Sequence, residues 1–109
     1  MAASHFHQGG KYRLDGAELS SEQMIATLRR WVERYPIISI EDGLAEDDWE
    51  HWPALVHAIG NRSVVLGDDL LCTNPERIAR ARAMHAANAL LLKVNQVGTL
   101  TETLQAIEL

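Results

Sequence analysis

Apolar residues recur every three or four positions between residues 20 and 35, which predicts an amphipathic helix. Ser20 and Gln23 have the spacing of a capping box and mark its start. Pro36 ends it, because the residue before a proline is disfavoured in helical conformation. The β-branched run from Ile37 to Glu41 then favours a buried parallel strand. The apolar face of the helix consists of Met24, Ile25, Leu28, Trp31, Val32 and Tyr35.

The alternation of helix and strand is repeated in the next segment. Asp47 or Asp48 has the residue type that caps a helix, and Gly60 has the type that ends one. We therefore expect a second helix between these positions. The apolar run at 64–68 predicts a second strand, with an aspartate at its last position.

A third repeat follows. Asn74 after Thr73 predicts the start of an alanine-rich helix around residues 78–87, and the apolar run at 89–93 predicts a third strand. Thr99 and Glu102 form another capping box ahead of a final helix that continues to Leu109. The predicted order is α-β-α-β-α-β-α.

Strands that alternate with helices through short links are parallel and joined by right-handed crossovers. Such units build either an open doubly wound sheet or a (β/α) barrel. Each predicted strand is apolar until its carboxyl end, where Glu41, Asp68 and Lys93 appear. Functional groups of barrels collect at this end, and no glycine-rich phosphate loop follows any strand. We therefore predict an α/β fold, a partial (β/α) barrel (a TIM-barrel fragment) with flanking helices, in a single domain over residues 1–109.

Charge and composition limit the classes of binding partner and the cellular compartment that we expect. Ten Lys and Arg against fifteen Asp and Glu leave a net charge of −5, which disfavours nucleic acid and anionic membranes as partners. Cys72 is the single cysteine, and no apolar run has the length of a membrane span. The first residues have neither the basic start nor the apolar core of a secretory signal. A cytoplasmic setting is the expectation.

The three strand-end charges suggest a chemistry. Two carboxylates held close together repel each other unless a cation or a proton lies between them, and rigid oxygen ligands suit Mg²⁺. Lys93 on the neighbouring strand could clamp an anionic substrate or act as a general base. A metal beside a lysine favours proton abstraction next to a carboxylate.

Three stretches of this sequence resemble consecutive segments of enolase. Residues 2–4 and Lys11-Tyr12 are similar to the hairpin region that precedes them in that family. The likeness covers essentially the whole chain. The three stretches are YPIISIEDGLAEDDW at 35–49, GDDL at 67–70 and LLKVNQVGTLTET at 91–103.

The resemblance implies residue roles. In enolases the glutamate of the first stretch and the first aspartate of the second bind Mg²⁺, which here are Glu41 and Asp68. The lysine of the third stretch, Lys93, is the base that removes the C2 proton of 2-phosphoglycerate on the way to phosphoenolpyruvate. Two Mg²⁺ ions hold the doubly charged intermediate, and enolase-type sites are themselves the well-known example of this arrangement. Glu41, Asp68 and Lys93 are the expected substrate-binding residues.

The resemblance also implies that groups are missing. The third metal-binding aspartate of enolases lies upstream of Ala2, and the acid partner and most substrate contacts lie in other segments. We therefore expect a fragment of the enolase barrel that is catalytically incomplete on its own. Two alternatives stay open. One is a non-catalytic, self-associating fragment, with a homo-oligomer as its form. The other is an enolase relative acting on a phosphonate analogue, because His5 stands where enolases usually have glutamate.

Several other residues receive structural interpretations. Asp42 and Asp69 are expected to support the site rather than bind the metal. His5 and His7 are assigned no role, and Cys72 is expected to be a buried, unreactive thiol. The three tryptophans, at positions 31, 49 and 52, are expected in the core.

Overall fold

The structure, a computed structural model, describes residues 2–108. It contains a three-stranded antiparallel sheet, a three-stranded parallel sheet and five α-helices within that range. None of these helices combines the length and the apolar composition needed to cross a bilayer. The strands are β1 His7–Gln8, β2 Lys11–Leu14, β3 Ala17–Leu19, β4 Ser39–Glu41, β5 Val64–Gly67 and β6 Ala89–Leu90. The helices are α1 Ser21–Arg34, α2 Trp52–Ile59, α3 Pro75–Met84, α4 Val94–Val97 and α5 Leu100–Glu108.

The parallel sheet confirms the predicted strand direction. Its order is β4-β5-β6, with Ile40 paired to Val65 and Glu41 paired to Leu66. Ile40 and Val65 are buried, whereas Ser39 and Glu41 on the opposite face are exposed. Within residues 2–108 the sheet is open and is not closed into a barrel. One face is therefore the core side, and the other is not covered by any part of residues 2–108.

Helices cover the buried face of the parallel sheet. Met24 and Leu28 of α1 and Leu55 and Ile59 of α2 have no exposed side-chain surface. The two helices pack against each other and belong to one continuous apolar core. Burying a side chain of this size contributes roughly 1.5–3 kcal/mol, so the α1–α2 layer contributes substantially to the stability of the fold.

The first helix follows the sequence prediction closely. Ser20 is its N-cap, and both arms of the capping box form: the Gln23 amide donates to the Ser20 hydroxyl, and the Ser20 amide donates to the Gln23 side chain. The helix ends at Arg34, ahead of Pro36. Two orphan amides are thus satisfied by local residues, which is why sequence alone located this element.

The predicted cap of the second helix was wrong. Neither Asp47 nor Asp48 caps it, because α2 begins only at Trp52, after His51. Residues 46–51 form turns instead. The Asp48 carboxylate accepts hydrogen bonds from distant side chains, so it is not available to a helix start.

The third strand is shorter than predicted. β6 ends at Leu90, and Lys93 lies beyond it, at the position before the short helix α4, which the pattern did not predict. Helix α3 also ends early, at Met84, because His85 adopts a left-handed conformation with φ of 55°. Leu109, the last residue of the predicted final helix, lies outside the described residues.

Candidate metal centre

Three charged side chains meet at one edge of the parallel sheet. Glu41 is the last residue of β4, Asp68 directly follows β5, and Lys93 follows β6 by three residues. Because the strands are parallel, their carboxyl ends lie at the same edge. The Lys93 ammonium donates to Oδ2 of Asp68, and carboxylate oxygens of Glu41 and Asp68 lie within 4.8 Å of each other. The structure therefore brings together all three residues that the sequence singled out.

The two proposed metal ligands differ in their surroundings. Asp68 is 8% exposed, and its Oδ1 accepts a hydrogen bond from the Gln96 side-chain amide at 3.1 Å. Glu41 is exposed, and its carboxylate has no hydrogen-bond or ion-pair partner among residues 2–108. One carboxylate is thus held in place, and the other is free to turn toward a ligand.

Asp42 completes the carboxylate cluster. One of its oxygens lies within the same 4.8 Å group as those of Glu41 and Asp68. Its two oxygens accept the backbone N–H groups of Asp68 and Asp69, each at 3.0 Å, and the residue is buried. Its backbone is left-handed, with φ of 44°. These bonds tie the end of β4 to the segment that carries Asp68, which fits the supporting position expected from the sequence.

The cluster carries excess negative charge. Three carboxylates face one ammonium, and the hydrogen bond to Asp68, strengthened by the charges of Asp68, Glu41 and Asp69, raises the pKa of Lys93 above its ordinary value. Clustered carboxylate oxygens on rigid strand ends are the donor set that Mg²⁺ prefers. The residues present therefore fit a divalent hard cation. Within residues 2–108 no second group of three metal-ligating side chains lies close enough to share an ion.

A partly exposed arginine, Arg77, joins the two loops that carry the cluster. Arg77 of α3 donates from Nε to the carbonyl of Leu70 at 2.5 Å and from its guanidinium to the carbonyl of Glu46 at 3.1 Å. Leu70 follows Asp68, and Glu46 follows Glu41 along the chain. The loops after β4 and β5 are therefore fixed relative to each other.

The remaining candidates lie outside the cluster. His7 contacts the Asp47 carboxylate at 3.7 Å and lies beside the Tyr12 ring, and His5 is not a member of the metal group. Cys72 is partly exposed rather than fully buried, and desolvation raises the pKa of its thiol. Trp49 and Trp52 are buried as expected, although Trp49 lies in a turn and not on a helix.

Sequence reasoning gave no role to two residues that contact the cluster. Gln96 binds Asp68, and Thr73 binds both Gln96 and the backbone of Lys93. Gln96 belongs to the third enolase-like stretch, so its proximity to Lys93 was a usable signal. Thr73 was considered only as part of a helix start, and its contacts lie 18–23 residues away along the chain, where no local pattern points to them.

Comparison with known families agrees with this geometry. A family model described as "Enolase, C-terminal TIM barrel domain" matches residues 1–109. The match settles the choice between an open doubly wound sheet and a barrel, because the matched family is a barrel family. The chain belongs to the enolase C-terminal TIM barrel domain family.

Proposed function

We propose that this chain is part of a Mg²⁺-dependent carbon–oxygen lyase that interconverts 2-phosphoglycerate and phosphoenolpyruvate, the enolase reaction of glycolysis. The observation that carries the proposal is the meeting of Glu41, Asp68 and Lys93 at the carboxyl edge of three neighbouring parallel strands. Barrel enzymes place their reacting groups at this edge. With one cysteine in 109 residues, a reducing compartment such as the cytoplasm is part of the proposal.

Glu41 and Asp68 would hold the metal. Asp68 is fixed by its neighbours, whereas the Glu41 carboxylate is exposed and unpartnered among residues 2–108, so it can complete a coordination shell without breaking other bonds. Asp42 supports this geometry through the amides of Asp68 and Asp69. When bound, Mg²⁺ supplies positive charge where negative charge develops on the substrate carboxylate.

Lys93 would be the base. To act, its amine must be neutral, and its contact with Asp68 favours the ammonium form. A cation held by Asp68 would draw negative charge away from this contact, which would favour the neutral amine of Lys93. Lys93 would take the C2 proton on Nζ, and the electron pair of the broken C2–H bond would form the C2–C3 double bond. The C3 hydroxyl would leave as water, with its proton supplied by a general acid from a segment outside these 109 residues.

The 109 residues supply only part of such a site. A (β/α)₈ barrel uses eight strands to surround its substrate, whereas the described residues contribute three parallel strands in an open sheet. We therefore propose that the isolated chain binds Mg²⁺ weakly and does not turn over substrate. Losing several groups, each supplying a few kcal/mol of transition-state stabilisation, reduces turnover by many decades.

Calorimetric titration with Mg²⁺, with and without 2-phosphoglycerate, tests the metal part of this proposal. A phosphoenolpyruvate absorbance assay tests turnover in the same samples. Glu41→Ala and Asp68→Ala should abolish binding, whereas Glu50→Ala, which removes an exposed carboxylate with no partner among residues 2–108, should not. Binding that survives both site substitutions would contradict the proposed ligands, and measurable turnover would contradict the incomplete site.

A second candidate is self-association into a homo-oligomer. Leu100, Leu104 and Ile107 lie on one face of α5 and are 65%, 52% and 58% exposed. The outer strands β4 and β6 also have unpaired edges within the described residues. Exposed apolar faces and open strand edges favour pairing with another chain. Light scattering that shows a strictly monomeric, stable species at high concentration would contradict this candidate.

A further inference from the structure

The turn after β5 contains two adjacent residues in a sparsely populated conformation. Cys72 and Thr73 have φ of 47° and 53°. A positive φ is a genuine outlier for a β-branched residue such as threonine, and it persists only where the surroundings hold it. Thr73 is fully buried. Its hydroxyl is not needed to start α3, because the Asn74 side chain accepts the first free amides of that helix.

The Thr73 hydroxyl is used at the site instead. It accepts the backbone N–H of Lys93 at 2.9 Å, and its own proton is directed toward Oε1 of Gln96 at 3.1 Å. The carbonyl of Leu91, at 3.4 Å, is the more distant alternative acceptor. A hydroxyl has one proton to donate, so the shorter contact sets its direction.

These bonds form a closed circuit around Asp68. With Oε1 of Gln96 bound to the hydroxyl, the Gln96 amide nitrogen faces Oδ1 of Asp68 at 3.1 Å. Lys93, whose backbone is held by the same hydroxyl, donates from Nζ to Oδ2 of Asp68. The hydroxyl oxygen of Thr73 therefore contacts both Lys93 and Gln96. These two residues bind the two carboxylate oxygens of Asp68.

These hydrogen bonds hold Lys93 at a position where strand pairing does not. β6 ends at Leu90, and Lys93 is not paired in the sheet. A strand ladder would normally fix the direction of a strand-end side chain. Here the backbone of Lys93 is fixed by a side chain from the neighbouring βα loop.

We propose that Thr73 is a positioning residue that sets Lys93 and Gln96 against Asp68 and so links the base to the metal ligand. This inference rests on the proposed function, because it assigns Thr73 to the same site. Removing a residue that orients metal ligands through hydrogen bonds lowers metal affinity or activity by about 10–100-fold.

The experiment compares three threonine variants of the 109-residue chain. Thr73→Val removes the hydroxyl and keeps the shape, and Thr73→Ser keeps the hydroxyl. Thr103→Val is the matched control, because Thr103 of α5 is 2% exposed and its hydroxyl donates to the carbonyl of Thr99 rather than to a residue of the cluster. Mg²⁺ affinity is measured by calorimetry, and exchange of the Lys93 amide proton is measured by NMR without metal.

We expect Thr73→Val to weaken Mg²⁺ binding about tenfold or more and to accelerate exchange of the Lys93 amide. Thr73→Ser and Thr103→Val should stay near the wild type in both measurements. Equal affinity and equal Lys93 exchange in Thr73→Val and Thr103→Val would overturn the inference.

Gln96→Ala is a second variant that tests the same hydrogen bonds if Thr73→Val does not fold. Gln96 is exposed, so its truncation leaves the core intact. We expect weaker Mg²⁺ binding in this variant, and unchanged binding would overturn the circuit. If the wild-type chain binds no Mg²⁺, the proposed metal site fails. The exchange rate of the Lys93 amide proton then tests the inference alone. It is compared between the wild type, Thr73→Ser and, where it folds, Thr73→Val.

Discussion

Asp48 and Asp68 both lie in loops that follow parallel strands, yet their carboxylates are satisfied in opposite ways. Asp48 accepts from the Tyr12 hydroxyl at 2.6 Å, the Ser21 hydroxyl at 2.7 Å and Nδ1 of His51 at 2.6 Å. These donors come from β2, α1 and the turn before α2. Asp68 instead shares a single ammonium with two further carboxylates.

The difference separates a carboxylate that stabilises the fold from a cluster of carboxylates whose negative charge is not fully compensated. Around Asp48, donors from three segments satisfy one largely buried carboxylate, so its charge is compensated within the chain. Around Asp68, three acids face one lysine, and the excess negative charge favours a bound cation. We expect substitutions at the first position to change stability and those at the second to change metal binding.

The largest effect on stability is expected for Asp48→Ala. It leaves the Tyr12 and Ser21 hydroxyls without their acceptor in a mostly buried place, which should lower the free energy of unfolding by about 3 kcal/mol. Denaturant unfolding measures this change. The control is Asp47→Ala, whose carboxylate is 79% exposed and should change stability by about 0.5 kcal/mol or less. Equal losses in the two variants would remove the distinction.

Tyr12→Phe should have a smaller effect at the same junction. The Tyr12 hydroxyl donates to Asp48 and accepts the Ala45 amide at 2.9 Å, and burial, reinforced by Asp48, raises its pKa. Removing it leaves one buried amide without an acceptor, at a cost of about 1–2 kcal/mol. Tyr35→Phe, at a ring that is 51% exposed, is the control, and the comparison fails if both variants unfold at the same denaturant concentration.

Glu41→Gln should barely change the stability of the metal-free chain. Its carboxylate has no partner among residues 2–108 and lies near two others, so neutralising it relieves repulsion. The expected change is about 0.5 kcal/mol or less, toward higher stability. Unfolding is compared with Glu50→Gln, and a marked destabilisation by Glu41→Gln alone would show that Glu41 is part of the fold.

The smallest effect is the pH dependence that comes from His51. Its hydrogen bond to Asp48 raises the pKa of the ring, with Glu22 adding to the effect. The protonated ring therefore stabilises the folded state. This contribution is complete below the ordinary histidine pKa near 6.5 and is lost as the pH rises through the raised value.

Unfolding midpoints measured across this range should fall toward alkaline pH in the wild type. In His51→Gln the fall should be shallower, whereas the exposed His57→Gln should follow the wild type. Parallel pH profiles for wild type and His51→Gln would show that the Asp48 junction does not use the charge of His51.

Sequence alone located the elements whose signals are local. The Ser20 capping box and Pro36 set α1 to within one residue, and the apolar run at 64–68 set β5 equally well. The short strands β1 to β3 were not found from the pattern, because two to four residues carry too little periodicity. Their presence was suggested only by the likeness to the enolase hairpin region.

The errors occur where side chains bind distant partners. Asp48 has the residue type of a helix cap but bonds to Tyr12 and Ser21, 36 and 27 residues away. Lys93 continues an apolar run but is held by Thr73 rather than by a strand. The positions of Glu41, Asp68 and Lys93 were predictable because parallel strands end at one edge, whereas Thr73 depends on a fold that one sequence does not show.

The unfolding temperature measured with and without Mg²⁺ decides whether the carboxylate cluster at the sheet edge is a metal site. A ligand that binds only the folded state stabilises it by about 1.4 kcal/mol at ten times its dissociation constant. We expect Mg²⁺ to raise the unfolding temperature of the wild type and of Glu50→Gln but not of Asp68→Asn. An equal rise in all three proteins would contradict a metal site built on Asp68.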